Sequence, residues 1–145
     1  MNRGSEIVTG KRILLADDQE EVRETIKLLL SLDEHTIVEA ANGKEALRLF
    51  ETGSFDLVIT DYLMPAMKGD ELVERIRQTA PAQPVLMITG SAEKFGGIDA
   101  PVDHLLSKPF GFDDLRFAIR ITLTEAARHA RQAPKTSGVS PANVP

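Results

Sequence analysis

Five short apolar runs limit what this chain can fold into: Ile13–Ala16, Thr36–Glu39, Leu57–Thr60, Val85–Thr89 and His104–Leu106. They are rich in Val, Ile and Leu and mostly lack polar alternation, the pattern of a strand buried on both faces. Helical spacing fills the gaps between them. Val22, Ile26, Leu29 and Leu30 recur at three- and four-residue steps, as do Ala46, Leu47, Leu49 and Phe50, and then Leu72, Val73 and Ile76 within Gly69–Thr79. A last helix follows Phe112, with Leu115, Ala118, Ile119, Thr122, Leu123 and Ala126 on one side. Strands that alternate with helices imply right-handed crossovers, hence an α/β fold: a five-stranded parallel sheet with helices on both faces.

The fourth crossover is the weak one. Ser91–Pro101 carries Gly96, Gly97 and a closing Pro101, so any helix there is expected to be short or frayed. From Ala133 onward, three Pro, two Ser and one Gly in thirteen residues predict a disordered tail. With 145 residues and 42% hydrophobic content, the chain holds one domain and needs no disulfides or metal staples. It has no cysteine, which excludes a thiol nucleophile and any Cys-ligated zinc or iron–sulfur site. The net charge of -5 gives no general attraction to nucleic acid or to an anionic membrane. No signal peptide and no bilayer-spanning run are visible, and a cytoplasmic location is expected.

In an open parallel sheet, ligands bind at the carboxyl ends of the strands. Asp17 and Asp18 end the first run, Asp61 the third, Thr89 the fourth and Lys108 the fifth. Each has an ordinary explanation when taken alone. Asp18 with Glu21 fits a helix capping box, Asp61 a turn before Pro65, Thr89 a β-branched strand residue, and Lys108 a solvated surface lysine. Convergence of all five on one edge is much harder to obtain by accident.

Three carboxylates crowded together repel, and one lysine leaves the cluster at a formal −2. Mg²⁺ neutralises such a charge, prefers oxygen ligands, and bridges one or two carboxylates to a phosphate. A carboxylate so placed can attack phosphorus to give an acyl phosphate, with metal and lysine offsetting charge on the equatorial oxygens.

Four motifs in order carry a family resemblance: Ile-Leu-Leu-Ala-Asp17-Asp18; Asp61-Tyr-Leu-Met-Pro65 with Gly69 and Glu71; Ile-Thr89-Gly90; and Leu-Ser-Lys108-Pro109-Phe110. From about Arg12 to about Ala130 the chain resembles the receiver domain of two-component response regulators. The resemblance implies the flavodoxin-like strand order 2-1-3-4-5. It makes residues 1–11 an N-terminal extension, 12–131 the receiver and 132–145 the tail. It also makes Asp61 the phosphoacceptor, with Asp18, Asp61 and the Leu63 carbonyl as Mg²⁺ ligands and Asp17 holding a metal-bound water. Lys108 would contact the phosphoryl oxygens, Thr89 would hydrogen-bond them, and Lys108–Pro109 would be cis. The implied donor is a histidine kinase or histidine phosphotransfer protein, and the implied output is a downstream protein target. The chain is then a stand-alone signalling module, not a turnover enzyme.

Some positions depart from the pattern. Leu105 stands where the family has an aromatic switch residue, Lys68 occupies an often acidic site, and Thr89–Lys108 is a few residues short. His104 is read as structural. A pseudo-receiver docking module would lose acidic or lysine residues that are present here, and a receiver piece of a hybrid kinase is a further alternative. A haloacid-dehalogenase-like phosphatase needs two aspartates two apart, and a flavodoxin-like FMN protein needs a phosphate loop where Asp-Asp-Gln-Glu-Glu stands. On the last helix, Phe117 and Ile121 fall outside the sheet-facing stripe, which points to a homodimer or partner contact through that helix and the fifth strand.

Overall fold

Five parallel strands, numbered along the chain, hydrogen-bond in the order 2-1-3-4-5 implied by the resemblance. A computed structural model describes residues 7–90 and 101–132. In chain order these hold β1 (Arg12–Ala16), α1 (Glu20–Leu32), β2 (Thr36–Ala40), α2 (Gly43–Thr52), β3 (Leu57–Asp61), α3 (Gly69–Thr79), β4 (Val85–Thr89), β5 (His104–Ser107) and α4 (Phe112–Gln132). Four of the strands extend one residue beyond the apolar runs because ladder pairing does not stop at the first polar side chain. Arg12, for example, pairs with Thr36. The expected weakness of the fourth crossover and the expected tail lie outside the described residues.

Alternate strand residues face opposite sides, and each side builds its own core. Leu14, Ala16, Val58, Val85 and Met87 pack under α2 and α3 against Ala46, Leu72, Val73 and Ile76. Ile13, Leu15, Leu57, Ile59, Leu86 and Ile88 pack under α1 and α4 against Ile26, Leu30, Leu115, Ala118 and Ile119. Burial on both faces holds for β1, β3 and β4 apart from Arg12. The edge strands β2 and β5 are only half-buried, since each has a neighbour on one side only.

Local chemistry sets the helix starts. Asn42 caps α2 by accepting from the Glu45 amide at 2.8 Å, and Glu45 accepts in return from the Ala41 amide at 2.8 Å. The Asp18–Glu21 capping box is not formed. Gln19 is the N-cap of α1, and its own amide donates to Asp17 Oδ1 at 2.9 Å. At the amino-terminal edge of the sheet, Arg77 of α3 donates to the carbonyls of Pro81, Gln83 and Pro101 and to Asp103, which also accepts from the Val85 amide. This staple fastens the end of α3 to the starts of β4 and β5.

Two glycines bring the β3–α3 loop against its neighbours. A Cβ at Gly69 would lie 2.3 Å from the Asp61 carbonyl oxygen, and one at Gly43 would lie 2.4 Å from that of Met67. Between them, Ala66 adopts φ 71 while the Met67 amide donates to the Pro65 carbonyl at 2.7 Å, a γ-turn in the left-handed region.

Gly69→Ala sets two effects in opposition. Helix propensity favours Ala by about 1 kcal/mol, while overpacking against backbone costs about 1–3 kcal/mol. The backbone contact cannot swing away, so the variant is expected to be less stable by up to about 2 kcal/mol. A urea midpoint equal to or above that of the wild type would show that the loop yields.

Candidate functional site

The register carries the chemistry to one edge. Ala16 pairs with Thr60 and Thr89 with Ser107, so the residues that follow β1 and β5 emerge beside the ends of β3 and β4. Asp17, Asp18 and Asp61 each bring a carboxylate oxygen within 4.8 Å of the others. Lys108 Nζ stands 3.3 Å from Asp61 Oδ1 and 4.0 Å from Asp17 Oδ2. The Lys108–Pro109 bond is cis, as the resemblance implied. The Lys108 amide donates to the Thr89 carbonyl at 2.9 Å, which ties the base of the lysine to the end of β4. Asp18, Asp61, Leu63, Thr89 and Lys108 line one open cleft of about 330 Å³, together with Gln19 and Gly90. Asp17, Asp18, Asp61, Leu63, Thr89 and Lys108 are therefore all at this edge.

The two adjacent aspartates differ sharply. Asp17 is 1% exposed; its amide donates to the Ala40 carbonyl at 3.1 Å, and its Oδ1 receives the Gln19 amide. Asp18 is exposed, and among the described residues its carboxylate has no hydrogen-bond or ion-pair partner. One carboxylate is built into the fold and the other is available to a ligand.

Burial raises the Asp61 carboxyl above its ordinary range, the charge of Asp17 raises it further, and Lys108 only partly opposes this. Burial likewise raises Asp17, against the Gln19 amide and Lys108. In both, burial disfavours the charged form relative to an ordinary carboxylate. A hard divalent ion fits this donor set, in which carboxylate oxygens converge and one of them is uncommitted.

The sequence profile of the response regulator receiver domain matches residues 13–120. The chain belongs to the response regulator receiver family. Response regulator MprA of Mycolicibacterium vanbaalenii is 35% identical over 115 residues, which cover 77% of this chain and 50% of MprA. Histidine kinase P4 of Formosa agariphila is 31% identical over 147 residues, covering 96% of this chain and 11% of the kinase. The chain spans about half the length of the response regulators it matches. Among solved structures, Thermotoga maritima response regulator TrrA in complex with Mg²⁺ and beryllium fluoride superposes with a TM-score of 0.72 at 33% identity, covering 77% of this chain and 98% of TrrA. No helix among the described residues is long and apolar enough to cross a membrane.

Sequence reading missed Gln19 and Gly90 as lining residues, and it missed Arg23. The Arg23 guanidinium donates to the Asp17 carbonyl at 2.7 Å and to Glu39 at 3.1 Å, and Lys27 meets the other Glu39 oxygen at 2.7 Å. A usable signal existed: Glu39 is the one charge inside an otherwise apolar stretch of β2.

The raised carboxyls fix the sign of a pH effect. The folded state binds more protons than the unfolded chain between the ordinary carboxylate range and the raised values, so these groups subtract stability above that window and stop doing so below it. His35 acts oppositely, since burial lowers it and its Nδ1 accepts from the Lys11 amide, so a difference between variants isolates the aspartates. Without divalent ions, Asp61→Asn is expected to be more stable than wild type by about 1 kcal/mol near pH 7. Urea titrations in EDTA should show that gain fading as pH falls into the carboxylate range. A gain that grows on acidification contradicts the assignment.

Proposed function

We propose that the domain accepts a phosphoryl group on Asp61 from a phosphohistidine donor, a histidine kinase or a histidine phosphotransfer protein, and signals by a change in protein–protein contacts. The observation that carries this reading is the position of Asp61: it lies 3.3 Å from the Lys108 ammonium, beside two further carboxylates, in a cleft open to a donor. Asp18, Asp61 and the Leu63 carbonyl would hold Mg²⁺, with Asp17 holding a bound water, and the ion would supply charge neutralisation at the phosphoryl oxygens.

The protein's own residues do the rest. An Asp61 carboxylate oxygen attacks phosphorus while the bond to the donor nitrogen breaks, and that nitrogen leaves on neutral histidine. Lys108 follows the charge from the carboxylate to the equatorial oxygens of the new acyl phosphate. Thr89, 2% exposed at the end of β4, would donate its hydroxyl to one of them. Attack by water on the same phosphorus returns the free carboxylate. This is one phosphoryl in and out on the protein itself, with no free substrate turned over.

Leu105 packs half-buried against the core under α2 and α3 and offers neither a ring nor a hydroxyl to swing inward. A surface change would then start from Thr89. The partner surface is assigned to α4 with β5. Phe117 is 52% exposed with the Arg120 guanidinium 5.2 Å from its ring centroid, while the sheet-facing stripe of the same helix is covered. Ile121 is half-buried.

Incubation with acetyl phosphate and Mg²⁺ should add one phosphoryl group by intact mass, and Asp61→Asn should abolish it. Lys108→Met should slow it by about 100-fold, by analogy with the loss of one transition-state charge contact. Undiminished labelling of Asp61→Asn refutes the phosphoacceptor assignment. Separately, Phe117→Gln should weaken self-association or transfer from a phosphohistidine donor while leaving acetyl phosphate labelling intact. No change in either process would move the partner surface elsewhere.

A further inference from the structure

Every polar group of Asp17 is engaged, and its carbonyl is held by a side chain of α1. Its amide reaches Ala40, its Oδ1 receives the Gln19 amide, its Oδ2 faces Lys108, and its carbonyl oxygen receives Arg23 Nη1 at 2.7 Å. That carbonyl belongs to the peptide unit joining Asp17 to Asp18. A peptide unit is planar, so fixing its carbonyl direction and its amide neighbours fixes the position of the next Cα. Asp18 has no side-chain restraint of its own among the described residues. Where its carboxylate can go is set through its backbone.

Arg23 is itself held. Its side chain is 15% exposed, one turn into α1; its Nε donates to Glu39 Oε1 at 3.1 Å, and Glu39 Oε2 is taken by Lys27 at 2.7 Å. A planar guanidinium with two of its edges engaged in different directions has little rotational freedom. Glu39 stands on β2 beside Ala40, whose carbonyl accepts the Asp17 amide. The end of β2 thus grips both sides of Asp17, directly through Ala40 and through Glu39 and Arg23. The Asp17 carbonyl also loses a charge-assisted bond if Arg23 is removed, next to a buried carboxylate.

We propose that Arg23, oriented by Glu39, is a positioning residue for the metal site: it locks the Asp17–Asp18 peptide and so presents the free Asp18 carboxylate to a divalent cation. This rests on the reading of the cleft as a Mg²⁺ site. The alternative is a plain staple between α1 and β2, which would hold the fold together without affecting the ion. Partners one shell away from a metal change its affinity by about 10–100-fold when removed, whereas a staple changes only the amount of folded protein.

The chain has one tyrosine, Tyr62, immediately after Asp61, and no tryptophan, so intrinsic fluorescence reports from the site itself. Mg²⁺ titrations of the full chain, followed by Tyr62 emission and by calorimetry, need no phosphorylation. Arg23→Gln should raise the Mg²⁺ dissociation constant about tenfold in the folded protein. Glu39→Gln, a milder change should Arg23→Gln fail to fold, should raise it about threefold. In the double variant the effects should not add, because Glu39 acts through Arg23. Arg77→Gln breaks a comparable staple at the opposite edge of the sheet; it should lower the urea midpoint and leave Mg²⁺ affinity unchanged. Unchanged affinity in Glu39→Gln and in any folded Arg23→Gln, or an equal loss in Arg77→Gln, overturns the positioning role alone. Absence of Mg²⁺ binding by the wild type overturns the reading of the cleft as well.

Discussion

Parallel pairing of β1 and β3 forces three carboxylates together, because a parallel sheet leaves the same end of each strand at the same edge. The carboxylates of Asp17, Asp18 and Asp61 repel at that edge, and Lys108 opposes two of them directly. The opposing free energy comes from the core. Ile13, Leu15, Ile59, Leu86 and Ile88 on one face, and Leu14, Val58, Val85 and Met87 on the other, are fully buried or nearly so. Each such side chain contributes on the order of 1.5–3 kcal/mol on burial, while a close like-charge pair near the surface costs about 1–4 kcal/mol. The sheet can therefore hold a cluster that is unfavourable in itself, and a bound cation would relieve that repulsion.

Division of labour between the adjacent aspartates follows from their surroundings. Asp17 sits where the chain still follows the ladder, since its amide bonds to Ala40, and its side chain closes the turn onto Gln19. Asp18 has left both the ladder and the helix. Two identical side chains thereby become a fixed member and a free member of one cluster, and their order along the chain decides which is which.

Much of this was legible in the sequence because it depended on period and position. The apolar runs located the strands within a residue, and the strand ends located the acids, the threonine and the lysine. What stayed hidden depended on competition between equivalent groups. Asp18 with Glu21 satisfies the sequence pattern of a capping box, but Asp17 holds the Gln19 amide and the helix starts one residue later, with Gln19 at its N-cap, so the box does not form. Arg23 and Lys27 lie outside the apolar spacing of α1, and the short turn from Asp17 to Glu20 brings Arg23 back under the Asp17 carbonyl. The burial of β2 was overstated for a similar reason: its composition does not reveal that it lies at an edge.

Ala66 holds a backbone conformation that costs a non-glycine residue about 1–2 kcal/mol. Glycine there would remove that cost, but it would also widen the ensemble of the unfolded chain by about 0.4–1 kcal/mol. The two oppose each other, so the net gain from glycine is smaller than the relieved strain alone. The stiffness of the loop that begins at Leu63 would fall at the same time, so alanine at position 66 trades some folding stability for a loop that is held more still.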